Sequence, residues 1–351
     1  MTSRIKRLRP EFVRFKNIDA LLVTNDTNIR YLTNFPASES WLLVLKGRSF
    51  YITDFRYVQE AKEGLKGISL KQYTQTPCVT LFDLCKKYKV KRLGFDERHT
   101  SVCVFKKLKE FCPVRTKLLP VTGIVEDLRE IKDEFEVSQI RDCLKLHGKA
   151  LAFLRKVVKP GITERQVLTQ LEGFVKDNRA KFAFDPIIAS GPNSAYPHAK
   201  ISDKIIRDNE PVLIDIGMDI NGYKSDLTRN FFLGRITPLY AKALEALQIA
   251  QKESIAMIKP GVLVADVDTK ARNILRKYGL AKYFGHSLGH GVGLDIHENP
   301  RLSIKSKSLL QPGMVVTVEP GVYIPGKFGI RVEDMVLVTH ESCEVLSGDH
   351  N

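Results

Sequence analysis

This chain has no apolar run approaching the ~18 residues that span a bilayer. Its basic start, MTSRIKRLRPEF, leads into no apolar leader core. The expectation is a soluble, unsecreted, cytoplasmic protein. Cysteines are few, and Cys78, Cys85, Cys103, Cys112, Cys143 and Cys343 form no CxxC pair and no regular spacing. That excludes a zinc knuckle or a disulfide framework as the organising device and leaves scattered thiols in a reducing compartment. No biased tract and no zinc-finger, helix-turn-helix or RNP signature is present.

What is present is an ordinary globular composition, 43% apolar and 27% charged over 351 residues, enough for two cores. The net charge of +15 raises nucleic acid as a partner. Residues 1–130 carry 25 Lys and Arg against 14 Asp and Glu, so the excess lies away from the histidine-rich part. Runs such as CKKYKVKR (85–92) and FKKLKE (105–110) have few interleaved aromatics and read as solvated helix faces. Nucleic acid is therefore not expected as a partner.

The first part alternates short apolar strands (DALLVTN, SWLLVLKGRSFYITD, KRLGFDE) with helical spacing, as in FRYVQEAKEGL. A small α/β domain over 1–128 is the reading, its last strand ending at Val121 and a long helix starting near Lys132. Residues 129–351 form the second domain, of α+β type. Within it VVKPGITERQV and MIKPGVLVADV repeat Lys-Pro-Gly after one amphipathic helix and before another, 100 residues apart. Two related half-domains would produce that echo.

Asn221-Gly222, between PVLIDIGMDI and YKSDLTRNFF, is a strong hairpin signal, because both turn residues must accept positive φ. With those two as the loop, Ile220 faces Tyr223 and Gly217 faces Asp226. Strand alternation then sets Asp215 and Asp226 on one face as diagonal neighbours. Two acids there converge on something, and a metal ion is the natural candidate, since unpaired carboxylates beside a core strand carry a large desolvation cost. In GMVVTVEPGVYIPGKFGIRVEDMVLVTHE, Glu319 ends one apolar strand and Glu333 sits in a second, with Arg331 on the same face by parity. GHSLGHGVGLDIHENP (285–300) adds three of the eight histidines, His286, His290 and His297. Four carboxylates and an imidazole suit manganese and related dications, with cobalt or zinc compatible. Two ions clamping a bridging hydroxide would use about this many acids.

The ordered set Asp215, Asp226, His290, Glu319 and Glu333 resembles the five-ligand signature of the pita-bread metallopeptidases, the group of methionine aminopeptidase, aminopeptidase P and prolidase. IASGPNSAYPHA, GYKSDLTRNFF, GHGVGLDIHENP, EPGVYIPG and GIRVEDMVLVT look like the Xaa-Pro peptidase branch, and DALLVTNDTNIRYLTNF with YITDFRYVQEA resembles its creatinase-like first domain. GHSLGHG departs from the expected small residues by a serine and a leucine, away from the ligands. The resemblance implies a creatinase-like α/β domain, then a pseudo-two-fold pita-bread catalytic domain holding two divalent ions, Mn2+ first. It makes His290 the histidine ligand, with Asp226 and Glu333 bridging the two ions and Asp215 chelating one. Glu319 is also the proton shuttle. His198 and His297 donate to the scissile carbonyl region, and Arg331 orients an acid or the substrate.

His286 carries no implied role beyond a structural hydrogen bond. The substrates implied are short proline-containing peptides, and a homodimer is expected. Dipeptidase and aminopeptidase remain alternatives, turning on what blocks the site beyond proline; Trp41, Arg56 and Tyr57 are candidates by location. Two rivals stand beside this reading. A creatinase-like amidinohydrolase would lack the complete ligand set, and a non-enzymatic peptidase-like binding module would have lost ligands; here all five positions are intact.

Overall fold

In the computed structural model, which describes residues 3–15 and 17–348, the chain divides after Arg129 into two units. The first is built on a six-stranded mixed sheet in the order Ser69–Gln72, Ser49–Thr53, Trp41–Leu45, Ala20–Val23, Arg92–Asp96, Lys117–Val121. Ala20–Val23 is a continuous apolar run because all four residues are buried. The stretch 40–54 is two strands paired antiparallel, Leu43 opposite Phe50. Helices Pro77–Lys87 and Val102–Phe111 are started by side-chain caps from Thr76 and Ser101. Leu81, Cys85, Leu93 and Leu108 close the core between helices and sheet. All six cysteines are free thiols, and burial pushes Cys85 up to about 12.

A short helix, Glu126–Glu130, precedes the long one, Glu134–Val157, which opens with a reciprocal cap between Asp133 and Glu136. That helix buries Ile140, Cys143, Leu144, His147, Ala150, Leu151 and Leu154, the three- and four-residue spacing of one face.

The second unit is wired twice. Helices Glu134–Val157 and Glu164–Asp177 flank one Lys-Pro-Gly, and Pro238–Ile255 and Val264–Lys277 flank the other. Gly161 (φ 91°) donates to the Ile206 carbonyl, and Ile206 donates back to Ile162. Gly261 (φ 82°) and Val262 make the same two bonds with Leu310. Each helix pair is followed by an antiparallel sheet. In the first, Glu210–Ile216 lies between Ile187–Ser190 and Leu227–Leu233. In the second, Val315–Val318 lies between Gly289–Gly291 and Asp334–Val338, and Glu298–Leu302 and Cys343–Val345 extend the edges. The sequence echo is thus architectural. Among the described residues no helix is long and apolar enough to cross a membrane.

Candidate metal centre

The first pair of acids is placed by the hairpin. Asn221 (φ 53°) and Gly222 (φ 80°) form its two-residue loop, Ile220 pairs with Tyr223, and the register continues down to Leu227 opposite Ile216 and Thr228 opposite Asp215. Asp215 lies on strand Glu210–Ile216, whereas Asp226 lies in the two-residue break before Leu227–Leu233, so alternation does not fix its face even though the two carboxylates converge. Ligand-capable oxygens of Asp215, Asp226 and Glu333 all lie within 4.8 Å of one another, and all three residues are buried.

The second half of the unit brings the remaining groups. His290 lies on strand Gly289–Gly291, pressed so closely on its neighbour that a Cβ at Gly289 would sit 2.0 Å from the Thr317 carbonyl oxygen. Its backbone N–H donates to the Thr317 hydroxyl, which in turn donates to Glu319 Oε1 at 3.1 Å. His290 Nδ1 lies 3.1 Å from the Gly291 carbonyl, an acceptor only, so Nδ1 carries the proton. Nε2 then points to Glu319 Oε1 (3.3 Å) and Asp226 Oδ2 (3.5 Å), the presentation a metal-binding imidazole needs.

Glu333 corrects the sequence reading. It lies in the two-residue break between strands Phe328–Arg331 and Asp334–Val338, not within a strand, so parity does not place it with Arg331. Three successive side chains of the neighbouring strand hold that break. Thr228 donates to Glu333 Oε2 at 2.7 Å, Arg229 binds the Glu333 carbonyl and Asp334, and Asn230 binds the Arg331 carbonyl.

The electrostatics are those of a site short of positive charge. Burial, then the neighbouring acids, holds Asp226 and Glu333 well above the usual carboxylate range; Asp215 is raised by burial despite the Arg331 charge. Glu319 is half-buried, which raises it, but the His290 interaction and the positive charges around it bring it below its ordinary value. His290 is raised, the Glu319 bond and charge outweighing its burial. Asp215 Oδ1 and Glu333 Oε1 are buried with no hydrogen-bond partner among the described residues. Those two bare oxygens in a nest of four acids fit divalent cations, and little else.

Around this nest, Arg331 donates through Nη2 to Asp215 Oδ2, through Nη1 to the Tyr323 hydroxyl (2.6 Å) and through Nε to Thr228 (2.8 Å). It orients a carboxylate. His286 is hydrogen-bonded to the Ser287 carbonyl and to Tyr323, against the ring of Phe284. Burial pushes Tyr323 up to about 12 and His286 down. His297 is exposed, its ring 4.4 Å from that of His290, and its pKa is lowered by partial burial and then by the His290 charge. His198 is exposed on the turn after Gly191–Ala195, near enough to be felt electrostatically by His297, and Arg331 Nη1 reaches the Pro197 carbonyl at 3.4 Å.

Thr228, Thr317, Tyr323 and Asp268 were not singled out from the sequence. Asp268 is fully buried, accepts from the Leu288 N–H and pairs with Arg272, which also binds the Phe284 and His286 carbonyls; together they hold the loop leading to His290. For Thr228 a signal existed, since the count from the Asn221-Gly222 turn sets it opposite Asp215.

Four acids and one imidazole converging from two halves of a fold form a candidate site for divalent metal, with Asp215, Asp226 and Glu333 as its tightest cluster. The chain belongs to metallopeptidase family M24, which matches residues 138–340, and residues 4–131 match the Creatinase/Prolidase N-terminal domain. A Xaa-Pro dipeptidase of Pyrococcus horikoshii is 33% identical, covering 99% of this chain and 97% of that protein. The solved structure of a Xaa-Pro dipeptidase from Bacillus anthracis superposes with a TM-score of 0.95 at 35% identity, over 99% of this chain and 97% of its own. An X-Pro aminopeptidase from Thermotoga maritima gives 0.91 at 31% identity, over 98% and 97%.

Proposed function

We propose that this protein hydrolyses the peptide bond between an N-terminal residue and proline, with residues 1–128 as its creatinase-like domain and 129–351 as the catalytic pita-bread domain. The observation that carries the reading is the nest of Asp215, Asp226, His290, Glu319 and Glu333, with bare oxygens on Asp215 and Glu333 and with His198 and His297 at its rim. Those five residues would hold the metal. Four carboxylates against the one guanidinium of Arg331 leave a charge of −3; one dication would leave −1, and two would leave +1, which an attacking hydroxide would cancel, so two are favoured. Manganese is the ion of choice for so many oxygen donors.

When bound, the ions supply Lewis acidity, polarising the scissile carbonyl and making water acidic enough to attack near neutral pH. The chain does the rest. Glu319, whose pKa lies below its ordinary value, accepts a proton from the attacking water and delivers it to the leaving proline nitrogen. His297, kept neutral by its lowered pKa, donates a hydrogen bond to the oxygen on which charge develops, and His198 does the same from the opposite loop. Arg331 and Thr228 keep Asp215 and Glu333 in place. The Xaa-Pro amide has no N–H to join an extended-strand recognition, so a preformed pocket is the suitable reader of it.

The family resemblance also carries the expectations of a homodimer and a cytoplasmic location. Mass spectrometry of products from Xaa-Pro and Xaa-Pro-Yaa peptides with the manganese-loaded protein tests the reading, with Asp226→Ala as the blank. Cleavage of the dipeptide alone makes it a prolidase; cleavage of the longer peptide as well makes it an aminopeptidase P. No metal-dependent cleavage of either overturns the proposal.

A further inference from the structure

A lysine and a glutamate 166 residues apart form an ion pair in the interior of the second unit: Lys132 Nζ lies 2.9 Å from Glu298 Oε2, with the two side chains 1% and 6% exposed. Burying such a pair is expensive, and an apolar pair of similar volume usually serves stability as well. Its presence therefore calls for a geometric reason, and the surroundings give one. The other oxygen, Glu298 Oε1, accepts from the Asp295 N–H at 3.1 Å and so closes a four-residue turn whose two inner residues are Ile296 and His297. Gly293 packs on the same carboxylate, where an added Cβ would sit 2.6 Å from Oε2. Its own backbone is tied to Asp295 and Lys224. At the other end, the Lys132 N–H is fixed to the Gly313 carbonyl, two residues before the strand Val315–Val318.

We propose that Lys132 is a positioning residue for His297: its buried ammonium anchors the Glu298 carboxylate, around which the turn carrying His297 is wound. Its ammonium donates to Glu298 Oε2 and, at 3.5 Å, to the Glu130 carbonyl, and it acts on His297 through Glu298. The inference rests on the proposed function for its catalytic consequence, and on the ion pair and the turn for its structural one. Misplacement of a hydrogen-bond donor by about 1 Å costs on the order of 100-fold in rate.

The test uses the full chain as Lys132→Met, Glu298→Gln and the apolar pair Lys132→Met/Glu298→Met. Lys132→Met removes the ammonium from a buried carboxylate and is expected to lower the melting temperature by roughly 10 °C. Turnover of an Xaa-Pro dipeptide is expected to fall about 10- to 100-fold with KM within about 3-fold and bound manganese unchanged. Restoring charge balance in the double variant should bring the melting temperature back while kcat stays low. Hydrogen exchange over 293–298 should be faster in both. Recovery of kcat together with stability in the double variant, or a normal kcat in Lys132→Met, overturns the inference. If the wild type itself cleaves no Xaa-Pro bond, the proposed function fails. The exchange measurement then judges the clamp alone, and unchanged protection of 293–298 in Lys132→Met overturns it.

Discussion

Thr228 lies opposite Asp215 across the central ladder of the first half, and its hydroxyl joins the two sides of the centre by accepting from Arg331 Nε at 2.8 Å and donating to Glu333 Oε2 at 2.7 Å. One hydroxyl thus fixes the positions of two acids, Glu333 directly and Asp215 through Arg331.

Replacing it tests that link. Thr228→Val keeps the shape and removes the hydroxyl, leaving Arg331 Nε and Glu333 each short of a buried partner. Metal affinity, measured by competition with a chromophoric chelator, is expected to fall about 10- to 100-fold. Unchanged affinity would show that Arg331 and Glu333 are held by other contacts.

Asp226→Ala and His297→Ala separate holding from helping. Asp226 faces both His290 and the acids Asp215 and Glu333, so its loss is expected to abolish activity and most bound metal. His297→Ala should leave the metal in place and lower kcat by about 100- to 1000-fold, the cost of one donor to a developing oxyanion. Metal analysis of both proteins decides; heavy loss of metal in His297→Ala would exchange the roles of His290 and His297.

The raised acids make a pH prediction for the metal-stripped protein. Asp215, Asp226 and Glu333 have folded pKa values above their unfolded ones, so the folded state holds protons that the unfolded chain releases near pH ~4. Such groups favour folding fully below the unfolded value, and the benefit is lost as pH rises through the folded value. His290, also raised, acts with the same sign, its benefit lost as pH rises through its folded value. Glu319, lowered, contributes stability above the unfolded carboxylate value and is constant between pH 5 and 8. The chelator-treated protein should therefore melt at lower temperature at pH 8 than at pH 5, and manganese should raise the pH 8 value most. A stripped protein that gains stability over that interval would refute the desolvated, proton-holding state.

Gly289→Ala probes the close approach of the histidine strand. Its Cβ would fall on the Thr317 carbonyl, so the strand must shift, at a cost of about 1–3 kcal/mol, and carry His290 with it. Lower melting temperature together with weaker metal binding is the expected pair of effects. A variant as stable as the wild type would show that the two strands separate freely.

The first pair of acids could be read from residues because Asn221-Gly222 fixes a count that holds on both sides of a ladder break at 217 and 225–226, Ile220 pairing with Tyr223 and Leu227 with Ile216. No comparable device links Glu319 to Glu333, and the chain leaves the strand at Val332, so alternation misplaced Glu333 while its chemistry was still visible. The supporting shell was harder to see. Thr228 meets Glu333 across 105 positions, Arg331 meets Asp215 across 116, and Lys132 meets Glu298 across 166, and no local period encodes such pairings. The alternation of strands and helices in the first unit was legible because its strands are short apolar runs between polar turns, although 40–54 hid a hairpin in what reads as one run.

The duplicated wiring around Gly161 and Gly261 divides the proposed ligands between its copies: Asp215 and Asp226 come from the first, and His290, Glu319 and Glu333 from the second. Neither copy alone would supply the whole proposed set. An ion in the centre is then a rivet through two plates, and its dissociation constant is also a gauge of how firmly they are pressed together. Any ligand, crowding agent or distant substitution that eases the plates apart would register first as leakage of metal, before a strand is lost or a helix frays.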